Sequence, residues 1–121
     1  MSALHTDYRY TKGEWIKAEP PKWFVVNDET DWDTQLSRAG ARLIDEFGGG
    51  GADNISIYVG PTGDYAVVIW DAAQCVARVF IDNIPDYLTF RSQVIAPQAM
   101  LIMECDRQFE LEKQRAHRRA A

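Results

Sequence analysis

Residues 55–81 read ISIYVGPTGDYAVVIWDAAQCVARVFI. Three β-rich runs stand in this stretch, at 55–59, 65–70 and 75–81, with only a few residues between them. Gly60-Pro61-Thr62-Gly63-Asp64 supplies one turn, and Asp71-Ala72-Ala73-Gln74 supplies the other. Links this short join antiparallel neighbours, because a parallel pair needs a crossover of a dozen or more residues. The middle run is nearly all apolar, which predicts a central strand covered on both faces. Arg78 interrupts the third run.

Upstream, residues 31–47 predict a helix. Trp32, Leu36, Ala39, Leu43 and Phe47 recur at spacings of three and four and so share one helical face. Thr30 offers the cap of the first turn, with Asp33 as a weak capping-box partner. Four glycines at 48–51 follow, the first as a left-handed C-cap and the others as a hinge. A phosphate loop places its glycines after a strand and before a helix; this order is reversed here. Ala52-Asp53 also stands where the Lys-Ser/Thr of such a loop belongs. Nearer the N-terminus, residues 7–17 alternate large and polar side chains around Lys12-Gly13, which predicts a hairpin at a sheet edge. Pro20-Pro21 resets the chain, and Trp23-Phe24-Val25-Val26 predicts a short strand.

Downstream, Pro85 suits a first helical turn, and Tyr87, Leu88, Arg91, Val94 and Ile95 follow at helical spacing. Pro97 lacks a donor and predicts a new helix start. Leu101, Cys105 and Phe109 then line one face, and a polar, basic tail begins at about 110. Residues 100–105 read as helix, with a strand as the alternative for their apolar run. The order ββ–α–βββ–α(α) predicts a single α+β domain over 1–121, an antiparallel sheet of about five strands with helices on one face.

The net charge of −5 is unevenly distributed. Residues 1–106 hold sixteen acids against eight bases, whereas residues 107–121 hold Glu110 and Glu112 against Arg107, Lys113, Arg115, Arg118 and Arg119. An acidic body does not attract nucleic acid through its general field, so direct nucleic-acid binding is not expected. The basic end complements the negative pole of a last helix. No apolar run approaches the roughly 20 residues of a membrane span. No cationic patch and apolar stretch open the chain, so the expected compartment is the cytoplasm, with Cys75 and Cys105 as reduced core thiols. Arginines outnumber lysines nine to four, in keeping with a bacterial or phage source.

Most catalytic chemistries lack their residues. His5 and His117 lie near the ends, which leaves no in-domain histidine base and no Ser-His or Cys-His pair. Two cysteines and two terminal histidines make no zinc set, and neither metal nor cofactor is expected. Asp28-Glu29-Thr30-Asp31-Trp32-Asp33 concentrates four carboxylates, but a calcium loop from Asp28 would need glycine where Asp33 stands and glutamate where Ala39 stands. Acids favoured at a helix N-terminus explain the cluster structurally. An acidic contact face for a basic partner, with Trp32 as anchor, is the functional reading. Asp64, Asp71 and Asp82 sit at strand ends, where carboxylates flank turns whether or not they do chemistry.

Tyr8, Tyr10 and Trp15 either pack on the domain's own sheet or dock a partner or a second copy. The reading that unites these features is a small acidic protein-binding domain of inhibitor or immunity type. Tyr8, Tyr10, Trp15, Asp28, Glu29, Asp31, Trp32 and Asp33 would mask the cationic surface of another protein, itself a binder of nucleic acid. The alternative is a small-molecule or sensory domain with a pocket between sheet and C-terminal helix, lined by Tyr58, Trp70 and Phe80.

Overall fold

A computed structural model describes residues 6–27, 29–48, 53–71 and 74–120, with backbone alone for Asp53, Arg119 and Ala120. Its elements run β1 (Thr6–Thr11), β2 (Glu14–Lys17), α1 (Trp32–Arg38), β3 (Arg42–Gly48), β4 (Asp53–Val59), β5 (Tyr65–Asp71), β6 (Gln74–Ile81), α2 (Ile84–Phe90), a π-helical turn (Arg91–Ile95) and α3 (Ala96–Ala120). The expected meander is present: β4, β5 and β6 are antiparallel neighbours. The hairpin is present too, with Lys12 and Gly13 at φ 50° and 82° in its two-residue turn.

The sheet has six strands in the order β2-β1-β6-β5-β4-β3. It is mixed rather than antiparallel throughout, because β1 runs parallel to β6, with Asp7 opposite Arg78. The α+β class holds, with one strand more than the expected order.

The extra strand comes from the second half of the expected helix 31–47. The helix ends at Arg38 because the chain closes a Schellman cap. Gly40 takes φ 88°, its N–H donates to Ser37 O at 3.0 Å, and the Ala41 N–H donates to Leu36 O at 2.9 Å. The first turn is capped by Asp31 rather than Thr30: its carboxylate accepts the Thr34 N–H at 3.0 Å. From Arg42 the chain is edge strand β3, paired with β4. The glycine run therefore follows a strand, so the helix-cap reading of Gly48 is overturned. Gly48 ends β3 at φ 92°, and glycines 49–51 with Ala52 lie outside the described residues.

The two faces of the sheet carry two cores. Tyr10, Ile55, Ile57, Val67, Val79 and Ile81 pack beneath Tyr87, Phe90, Ile95 and Ile102 of the C-terminal helices. Tyr58, Ala66, Val68 and Phe80 point the other way and are covered by Phe24 and by Leu36 of α1. Helices thus lie on both faces, not one. This arrangement buries β5 on both sides, as its apolar run requires. The segment 23–26 is irregular rather than a strand. The Phe24 N–H donates to Pro21 O at 3.0 Å, and just past the segment Gln35 holds both backbone groups of Asn27: Oε1 accepts its N–H at 2.9 Å, and Nε2 donates to its O at 2.8 Å.

Pro97 does not restart the helix. The helix passes through it after a π turn, in which the Ala96 N–H bonds five residues back to Arg91 O. Residues 100–105 are helical. Beyond Ile102, α3 leaves the body: Phe109 is 65% exposed and Cys105 is exposed too, and Leu101, just before Ile102, is already 60% exposed. The expected apolar face of α3 and the core role of Cys105 are therefore overturned. Among the described residues, no helix is long and apolar enough to cross a membrane.

Candidate functional site

The start of α1 stands over the end of the sheet, and a hollow of about 380 Å³ opens between them. Asp31, Trp32 and Asp33 enter it from the helix, Glu46 from β3, Ser56 and Tyr58 from β4, and Trp70 from β5. Each carboxylate is held by a neutral donor. Asp31 accepts from the Thr34 hydroxyl and the Thr34 N–H, which hold its carboxyl below the usual range. Asp33 accepts from the Tyr58 hydroxyl at 2.5 Å, and Glu46 accepts from Ser56 Oγ at 3.2 Å. Burial pushes the Tyr58 phenol well above its ordinary range, and the neighbouring Asp33 adds to it. Tyr58 therefore acts only as a donor to Asp33.

The floor of the hollow is aromatic. The Trp32 and Trp70 rings lie with centroids 5.0 Å apart and planes tilted by 49°. Among the described residues, no lysine, arginine or histidine lines the hollow, and none of the three carboxylates takes part in an ion pair. Three like charges beside two π faces form a cation-accepting surface. A guanidinium or ammonium group fits it chemically. The described residues include no group of His, Cys, Asp or Glu able to hold a metal ion.

The structure divides the expected site residues. Asp31, Trp32 and Asp33 meet in the hollow. Glu29 is exposed in the turn before α1, where its N–H donates to Asn27 Oδ1 at 2.9 Å, and Asp28 lies outside the described residues. Tyr8, Tyr10 and Trp15 come together elsewhere, on the α2 side of the sheet. Tyr8 and Trp15 meet edge-on at 5.4 Å, and Tyr10 reaches Phe90 at 4.9 Å. Tyr10 is 2% exposed and belongs to the core; Trp15, at 42%, can be reached from outside. Glu46 and Trp70 join the hollow although the sequence pattern does not place them there. Gly40, the stop that turns 42–48 into a strand, was the available signal for Glu46.

Other expected groups fall apart. Tyr58 and Phe80 face away from the C-terminal helix, so they do not line a pocket beneath it. Asp64 and Asp82 share one end of the sheet, with Asp71 at the opposite end. Asp64 accepts the Trp23 indole N–H at 2.8 Å, and Asp82 pairs with Arg9. His5 lies outside the described residues, and His117 is exposed on α3. No family model matches the chain, and neither a curated protein nor a solved structure matches it.

Proposed function

We propose that this is a protein-binding domain, not an enzyme, whose acidic hollow receives a basic side chain from a partner protein. The observation that supports this reading is the pairing of three carboxylates, which meet no cation among the described residues, with two tilted indoles. Carboxylates give on-rate and discrimination against acidic partners; the indoles give the buried anchor surface that dominates binding energy. An inhibitor or immunity-type role in the cytoplasm of a bacterial or phage-infected cell follows the same chemistry. The domain would mask a cationic surface that otherwise meets nucleic acid. Exposed Glu29 extends the acidic face beyond the hollow.

Affinity capture from host lysate tests this, with the native chain and an Asp33→Asn, Glu46→Gln variant as paired baits. Neither substitution touches the Asp31 cap. A basic protein retained by the native bait and lost from the variant is the expected result. An unchanged set of captured proteins would sink the proposal.

A further inference from the structure

On the opposite face of the sheet, a cavity of about 430 Å³ opens between the strands and the C-terminal helix. Its volume is in the range of small-molecule sites, which run from roughly 300 to 1,000 Å³. The inner wall is buried and aliphatic, with Ile55, Val67, Ile95 and Ile102, and Phe90 closes one side. The rim carries Trp15 from β2, Gln98 from α3 and the end of β5 at Trp70.

Three features make the cavity. The π turn carries Val94 and Ile95 along one wall. The helix then leaves the sheet beyond Ile102, so it roofs only part of the apolar face. A register shift between Ile69 and Trp70 displaces the strand end at the mouth. Protein interiors are normally close-packed, and an apolar space this large forfeits contacts along its whole lining.

We infer that this cavity binds a neutral, flat, mostly apolar small molecule bearing one hydrogen-bonding edge. The lining selects that class. Its described residues include no lysine, arginine or histidine, so an anion would lose its hydration without a counter-charge. Asp71, the one charged residue among the described residues of the lining, is already engaged in an interaction of its own. Indole and phenyl faces favour a planar guest by stacking, and the Gln98 carboxamide can both donate and accept at the rim. The site is separate from the acidic hollow, although Trp70 lines both.

N-phenyl-1-naphthylamine, neutral and apolar with a flat naphthyl ring and one N–H, is a direct fluorescent probe. Titration into the native chain should give saturable one-to-one binding with a blue-shifted emission, whereas anionic anilinonaphthalene sulfonate should bind at least tenfold more weakly, about the smallest discrimination a missing counter-charge should produce. Gln98→Trp, at an exposed helix position, should obstruct the mouth without disturbing the core and weaken the neutral probe at least tenfold, about the size of a lost well-placed contact. Val94→Trp should fill the space from within and do the same. Circular dichroism and the melting temperature check that both variants are folded. Absence of saturable binding, equal affinity for the anionic probe, or binding unchanged in folded Gln98→Trp would each overturn the inference.

Discussion

Trp32 and Trp70 meet at 5.0 Å although one opens a seven-residue helix and the other ends a central strand. The contact exists because α1 lies across the sheet face that carries Tyr58, Val68 and Phe80. It brings Asp31 and Asp33 beside Glu46, a proximity that no local sequence pattern creates. The first prediction concerns this pair. In the capture complex, Trp70→Ala should weaken binding by about tenfold or more, in line with roughly 2 kcal/mol for an aromatic anchor. Asp33→Asn should lower both the affinity and its dependence on salt. Calorimetric titration at low and high salt measures both effects; a salt slope unchanged by Asp33→Asn counts against the hollow.

The parallel pairing of β1 and β6 is tied by Asp7 and Arg78. The guanidinium donates to both carboxylate oxygens, Nε to Oδ1 at 2.7 Å and Nη2 to Oδ2 at 2.9 Å, and it also stacks on the Phe24 ring at 5.2 Å. Both side chains are largely buried, at 17% and 11% exposure. Asp7→Ala leaves the cation buried without its partner, and the expected loss is about 3 kcal/mol. Replacing both residues, Asp7→Leu with Arg78→Met, should recover much of that loss. Urea unfolding followed by tryptophan fluorescence compares the three chains, and a single-variant loss under about 1 kcal/mol would contradict this account.

Gly60 is needed for space. A Cβ built there would lie 2.3 Å from Trp23 Cε2, so the indole would have to move. That movement breaks the Trp23 Nε1 to Asp64 hydrogen bond of 2.8 Å and disturbs the packing of Phe24 beside it. Gly60→Ala should cost about 1–3 kcal/mol, the usual range for forcing atoms into a packed site. A shifted Trp23 indole N–H resonance should accompany the loss of stability. An unshifted resonance in a variant of native stability would show that the ring is not held there.

The two thiols should differ in reactivity. Burial pushes the Cys75 thiol up to about 11, whereas Cys105 is exposed on α3. At neutral pH, a disulfide reagent should label Cys105 quickly and Cys75 slowly, with the slow phase accelerating as pH approaches 11. The linked stability change has a definite sign. Above the ordinary thiol value of 9.0 the unfolded chain ionises first, so the Cys75 contribution is whole below that value and is lost as pH rises towards 11. Two equal labelling phases in the folded protein would contradict the burial of Cys75.

The meander was legible because its turns are written in glycine, proline and aspartate and its strands in β-branched and aromatic residues. The stretch 31–47 was not. Leu43 and Phe47 are four apart, and a spacing of four satisfies both the helical period and the alternation of a strand. In β3 a register shift between Leu43 and Asp45 turns Leu43 towards Tyr58, while Phe47 faces Ile55. Asp31, Trp32 and Asp33 could be singled out as a cluster of acids with an aromatic. Glu46 and Trp70 join them only through strand pairing and the placing of α1 across the sheet. Cys105 shows the converse: helical periodicity identifies a face, but nothing local says whether a surface lies opposite it.

That limit bears on α3, whose last buried residue is Ile102. Beyond it, the described contacts are local, such as the Glu104 and Arg107 pair, in which hydrogen bonds from Arg107 hold the Glu104 carboxyl at about 2. Exposed pairs of this kind contribute little to folding. A chain ending at Asp106 should therefore keep its stability to within about 0.5 kcal/mol, as surface changes usually do. Differential scanning calorimetry of the two chains, each at low and high concentration, measures this. A marked fall in melting temperature at high concentration alone would mean that the projecting helix, with Phe109 exposed along it, is covered by a second copy of the chain.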